Sequence, residues 1–221
     1  MILPRIFAQD VNALMKRVRA KLDLVNDYKA DGLLKTDVPF IKVPESKVSV
    51  FYKKPNKFRI KKEEGISIVP KGGITINLNS LFTGNEYTAI HGGATTIGGK
   101  QLIIVKLLPL NEENEVVLST LYISDKEALI YKANTTTKNN GTYEMEMIYG
   151  RFANWGLPDK VLFIFNTKEY KLPKGVTFEY ETEEKPELAA RQKNQKGKVE
   201  ITYRNYAINK GIEDNIFNVQ E

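Results

Sequence analysis

From Tyr28 onward the chain alternates apolar and polar side chains in short runs broken by turn residues, and a period of two dictates β-sheet. The runs predict strands over residues 28–36, 47–53, 57–62, 66–69 and 74–77. Further runs predict strands over 101–107, 116–123, 127–133, 142–149, 160–165, 176–181 and 198–206. Lys54-Pro55-Asn56, Lys71-Gly72-Gly73, Ser124-Asp125, Asn139-Asn140-Gly141 and Pro173-Lys174-Gly175 carry the turn chemistry between them. Many short strands with almost no helix between them mean an antiparallel meander, not alternating strand–helix units. A different period precedes the meander. Val11, Leu14, Met15, Val18, Leu22 and Val25 form one stripe, with Lys16, Arg17, Arg19 and Lys21 opposite. This predicts an amphipathic helix over about residues 10–25, capped by Asp10, whose stripe must lie on the sheet.

Several strands break the alternation. Leu102-Ile103-Ile104-Val105-Lys106-Leu107-Leu108 and Val161-Leu162-Phe163-Ile164-Phe165 are apolar on both faces, as are segments within 116–123 and 128–131. A single layer facing water would not tolerate this. The second apolar face meets either a packed core or a ligand cavity. The glycine-rich stretch 84–100 reads as neither strand nor good helix. It fits a lid with a short helix over 87–90, or equally a long surface loop. Residues 183–196 read as an exposed linker.

The composition removes several chemistries. With no cysteine, disulfides, thiolate metal sites and thiol nucleophiles are excluded. The one histidine, His91, has no Gly-x-Ser-x-Gly elbow to work with, so no catalytic residue is expected and the chain is not read as an enzyme. Gly93–Lys100 misses the phosphate-loop spacing at Ala94 and has Gln101 where Ser or Thr would hold magnesium. No carboxylate pattern suits a metal, and no cofactor is expected. Residues 1–8 are apolar and read as the tail of a secretory signal, or equally as a frayed terminus. Residues 9–221 are expected to form one domain. The formal charge of +6 favours acidic partners such as membrane headgroups.

The densest basic run is Lys53-Lys54-Pro55-Asn56-Lys57-Phe58-Arg59-Ile60-Lys61-Lys62. As a hairpin it sets Lys57, Arg59 and Lys61 on one face and Phe58 and Ile60 on the other, giving one wet side and one greasy side. The segment Val50-Phe51-Tyr52-Lys53-Lys54-Pro55-Asn56-Lys57-Phe58-Arg59-Ile60 resembles the "aromatic-x-Lys-Arg-Pro-Asn-x-Phe" hairpin of the periplasmic outer-membrane lipoprotein carrier (LolA-like) family. The helix before it and the paired strands after it are similar in style, although only this hairpin is motif-like.

The resemblance implies an α+β fold, a curved and incompletely closed antiparallel β-barrel of about eleven strands with helices covering a hollow. It implies a periplasmic carrier that binds the acyl chains of lipoproteins or lipid and delivers them toward the outer membrane. Its partners would be an inner-membrane loading complex and an outer-membrane acceptor, with peripheral membrane contact only and no nucleic acid. Val50, Tyr52, Phe58, Ile60, Leu102, Ile104, Tyr122 and Phe163 would line the cavity. Lys54 stands where the family carries an Arg for cargo transfer, keeping the charge but not the planar fork. A lipid-sensing module of the same fold that does not transport, and a basic polyanion-binding surface protein, are the alternatives.

Overall fold

A computed structural model describes residues 10–38, 41–42, 44–62, 87–139, 141–166 and 196–218. Asp10 accepts from Asn12 N at 3.0 Å and Ala13 N at 3.1 Å, satisfying two of the free amides that begin α1 (Val11–Leu22). The predicted stripe is the buried one: Val11, Leu14, Met15 and Val18. The helix ends at Leu22, short of the expected residue 25. Asn209 explains the early stop: its side chain accepts from Asn26 N at 2.7 Å and donates to Leu24 O at 2.8 Å. The backbone after α1 is thereby bound to the end of the last strand, and Val25 stays buried in the turn.

The strands are β1 (Asp27–Val38), β2 (Ile41–Lys42), β3 (Ser46–Lys53), β4 (Lys57–Lys62), β5 (Tyr87–Ile97) and β6 (Lys100–Pro109). They continue with β7 (Val116–Ser124), β8 (Leu129–Thr137), β9 (Thr142–Ile148), β10 (Lys160–Asn166) and β11 (Lys196–Ile208). They form one curved antiparallel sheet in the order β4-β3-β1-β11-β10-β9-β8-β7-β6-β5, with the two-residue β2 paired to β1. The sheet is open: among the described residues no ladder joins β4 to β5, and α1 is the one α-helix. The expected strands at 66–69, 74–77 and 176–181, the linker up to residue 195 and the signal tail at 1–8 lie outside the described residues.

The glycine-rich stretch is a correction to the sequence reading. Residues 87–97 are a strand, neither a lid helix nor a surface loop, and form a hairpin with β6 through Gly98 and Gly99, both at positive φ. A bulge between His91 and Ala94 breaks the alternation, which hid the strand. A second bulge, at Asp31/Gly32, brings β1 so close to β11 that a Cβ on Gly32 would lie 2.7 Å from Thr202 O. Only glycine fits there.

One face of the sheet carries the core. Tyr28, Ala30 and Leu34 of β1 meet Val48, Val50 and Tyr52 of β3 on one side and Val199, Ile201 and Tyr203 of β11 on the other. The same face continues through Val161 and Phe163, Met145 and Met147, Ala133, Leu121 and Val105. α1 lies on this inner face against β5, β8 and a short 3-10 turn, Ala153–Trp155. Its polar side is tied down as well. Arg17 pairs with the Asp125 carboxylate, and Lys21 Nζ donates to Glu127 O at 3.1 Å.

Candidate functional site

The inner face ends, beside the C-terminus of α1, in a cluster of aromatic rings. Tyr28 from β1 lies 5.4 Å from Tyr52 of β3 and 5.2 Å from Tyr206 of β11. Tyr206 in turn lies 5.0 Å from Tyr203 and 4.9 Å from Phe152. These separations are those of stacked and edge-to-face pairs, which add to the burial of the rings. Tyr206 Oη donates to Pro158 O at 2.8 Å, so the loop after the 3-10 turn is held over the cluster.

Leu22 at the end of α1, Val25 in the turn after it, Trp155 to Pro158, Met145, Met147, Val161 and the tyrosines Tyr28, Tyr52, Tyr203 and Tyr206 line a cavity of about 40 Å³. Among the described residues no charged side chain lines it, so its chemistry suits an apolar ligand with a phenol at hand. Burial, first among the causes, pushes the phenols of Tyr28, Tyr203 and Tyr206 well above the ordinary tyrosine range, which keeps the cavity wall neutral. At about 40 Å³ the cavity has room for a few water-sized probes and far less than the ~150 Å³ that accepts a benzene ring. An acyl chain does not fit the cavity while α1 is seated.

The expected cavity residues divide between the two faces of the sheet. Val50, Tyr52 and Phe163 are buried on the inner face, and Phe58 and Ile60 sit opposite Tyr52 and Val50, half-buried against the same core. Of these, Tyr52 lines the cavity; Phe163 packs deeper, 5.1 Å from Tyr143. Ile104 and Tyr122 pair with each other on the opposite face, while the neighbouring pair Val105 and Leu121 faces the core. Leu102 shares the parity of Ile104 and is buried apart from the main core.

Lys54 occupies the tip of the β3–β4 hairpin at the cavity end of α1. Its Nζ donates to Asp23 O at 2.9 Å and lies 3.0 Å from Asp23 Oδ1, and its backbone N donates to Asn26 O at 2.8 Å. It therefore ties the hairpin to the segment that closes the cavity. His91 is exposed on β5 and accepts from Gly93 N at 3.3 Å through Nδ1, with no general-acid or general-base partner among the described residues. The described residues contain no cluster of three metal-ligating side chains and no helix long and apolar enough to cross a membrane.

No protein-family model and no curated protein matches the sequence. Solved structures do match over nearly the full length of both chains. A LolA superfamily protein from Nitrosomonas europaea is 11% identical with a TM-score of 0.54, covering 95% of this chain and 97% of its own. A DUF1329 family protein from Desulfovibrio piger is 12% identical with a TM-score of 0.52, covering 94% and 97%. A putative outer membrane lipoprotein-sorting protein domain from Vibrio parahaemolyticus is 9% identical with a TM-score of 0.51, covering 93% and 95%. The fold is LolA-like.

The LolA-like resemblance first read from the Val50–Ile60 hairpin therefore extends to the whole sheet. What the sequence did not single out is the aromatic and methionine wall: Met145, Met147, Trp155, Tyr203 and Tyr206. In the LolA-like sheet Tyr203 and Tyr206 reach the cavity from positions three apart. The bulge opposite Asp31/Gly32 makes this possible, and strict alternation would forbid it.

Proposed function

We propose that this protein is a carrier for acyl chains of lipoproteins or lipid, working in the periplasm and passing its load toward the outer membrane. The observation that carries the reading is the continuous apolar inner face of an open sheet with a single described helix laid across it. The LolA-like fold supports it, as does the likeness to the outer membrane lipoprotein-sorting domain of Vibrio parahaemolyticus.

The energies are matched. A sixteen-carbon chain gains on the order of 10 kcal/mol on leaving water, at about 0.8 kcal/mol per CH₂. The seated stripe of α1 buries Val11, Leu14, Met15 and Val18, worth about 1.5–3 kcal/mol each. The cavity beside Tyr28 is too small for a chain, so the load enters by taking the place of part of this stripe. Exchange between two comparable apolar surfaces costs little net free energy, which lets cargo be both taken up and released. Lys54 ties the hairpin to the end of α1, and in this reading it acts at the transfer step. An inner-membrane loading complex and an outer-membrane acceptor complete this reading. It requires no reacting group and therefore no catalysis.

Native mass spectrometry of gently purified protein tests uptake. Transfer of a radiolabelled acylated peptide from donor to acceptor vesicles tests delivery. Bound acyl lipid with accelerated transfer is expected. Binding without transfer would make the protein a sensor, and no acyl binding at all would overturn the carrier reading.

A further inference from the structure

The sheet face opposite the core carries an organised patch of positive charge across β1, β3 and β4. Lys29, Lys47, Lys53, Lys57, Arg59 and Lys61 share that face by register: Lys29 sits opposite Phe51, Phe51 opposite Arg59, and Lys53 opposite Lys57. Adjacent strands lie about 4.8 Å apart, so these groups form a compact array. At its centre Phe51 is buried beneath two ammonium groups, Lys29 Nζ at 6.0 Å and Lys61 Nζ at 5.6 Å from its ring centroid. The ring supports the two lysines without cancelling their charge. Among the described residues Lys29, Lys47 and Lys61 have no ion-pair partner. The carboxylates that β1 sets on this face are Asp27, which accepts from Lys210 N and Gly211 N, Asp31, which accepts from Ser49 Oγ, and Asp37 at the far end of the strand; Asp214 joins them from a later segment.

Asp214 comes from the segment after β11, which turns at Asn209 and crosses this same face. Its carboxylate bridges Lys53 Nζ at 2.7 Å and Lys57 Nζ at 2.8 Å. Hydrogen bonds from those two lysines hold its acid strength at a pKa of about 2. Arg59 Nη1 donates to Ile216 O and Asn218 O, both at 2.6 Å, and Lys53 Nζ donates to Ile212 O at 2.8 Å. The segment after β11 thus covers half of this basic surface and leaves the other half open. The open half consists of lysines only. Arg, whose fork suits a single carboxylate, is taken by the tail; lysine ammoniums act as point charges toward a diffuse anionic surface.

We propose that the outer face of β1, β3 and β4 docks the protein on anionic phospholipid headgroups through Lys29, Lys47 and Lys61, with Asp214 covering two further lysines. The purpose of such docking, holding the acyl-binding face near the bilayer, rests on the carrier reading; the docking itself is measured without any cargo.

The test is co-sedimentation of the full chain with vesicles of phosphatidylcholine containing 30% phosphatidylglycerol, in 0.1 M salt. The triple variant K29Q/K47Q/K61Q should lose about fivefold in partitioning per lysine, on the order of a hundredfold together. K16Q/K106Q/K126Q, with the same net charge and all outside β1, β3, β4 and the segment that crosses them, should lose far less, and D214N, which frees Lys53 and Lys57, should bind several-fold more tightly. Equal losses in the two triple variants would overturn the proposal in favour of non-specific attraction. So would no preference for anionic vesicles, or D214N binding no better than the parent chain. Acyl uptake measured on the same variants separates the two readings. Uptake retained without docking overturns only the docking, and docking without uptake overturns only the carrier.

Discussion

If cargo replaces the stripe of α1, then shortening that stripe should weaken the fold and strengthen cargo binding together. Leu14 is 1% exposed, in the middle of the helix and against the sheet. Leu14→Ala deletes buried methyl groups and leaves a cavity, a change that costs about 2–5 kcal/mol in comparable cores. Part of that loss falls on the contact between helix and sheet, which the incoming chain must also break. A contribution of about 1.4 kcal/mol to opening alone would tighten acyl binding about tenfold. Phe163→Ala is the contrasting change. Phe163 is fully buried from the sheet side and would serve both the seated helix and the bound chain, so its loss should weaken stability by about 3–5 kcal/mol and weaken binding too. Urea unfolding followed by circular dichroism gives the first quantity, and titration with a fluorescent sixteen-carbon fatty acid gives the second. Val18→Ala provides the same test with a smaller deletion should Leu14→Ala unfold. A helix variant that loses stability while its acyl affinity stays level or falls would refute displacement of α1.

Two further outcomes are expected. The phenols of Tyr28, Tyr203, Tyr206 and Tyr149 are raised chiefly by burial, so their folded pKa values exceed the unfolded value near 10. The stability they contribute is present in full below about pH 10 and is lost as pH rises above it. Tyrosinate absorbance at 295 nm should therefore rise in two stages, exposed rings first and the buried cluster only with alkaline unfolding; a single smooth titration would contradict the burial. Lys54→Ala removes a partly exposed ion pair with Asp23 and should cost no more than about 1 kcal/mol in stability. Vesicle-to-vesicle transfer should nevertheless fall at least several-fold, and Lys54→Arg should restore it; unchanged transfer in Lys54→Ala would remove this residue from the delivery step.

The helix and most strands were legible because each follows from a local rule. Asp10 and the Val11-to-Leu22 stripe need only a cap and a period, and the hairpin at Lys54-Pro55-Asn56 needs only turn residues between two alternating runs. The pairing of β1 with β11 could not be read this way, since side-chain alternation does not say which distant strand a run will join. β5 reads as a loop in the sequence because Gly92 and Gly93 supply no side chains to alternate, while a bulge at His91/Ala94 shifts the phase of those that remain. On β6 the parity was ambiguous in the sequence itself. Leu102 and Ile104 are as apolar as Ile103 and Val105, and only the ladder to Leu121 and Ile123 shows which set meets the core.

The site was legible to the extent that it lies on the β3–β4 hairpin, and there the period-two reading of one greasy and one wet side has a physical meaning on each face. The greasy side sets Tyr52, Phe58 and Ile60 against the core where α1 ends. The wet side sets Lys53, Lys57 and Arg59 under the acidic tail. Lys54 at the tip joins both to Asp23 of the helix end. A hairpin is only one peptide layer thick, so its two faces share one backbone. Release of the tail by an anionic surface would therefore be felt at Tyr52 and at the α1 terminus. Displacement of α1 by an acyl chain would be felt by Asp214 in return, because coupling between two sites is reciprocal.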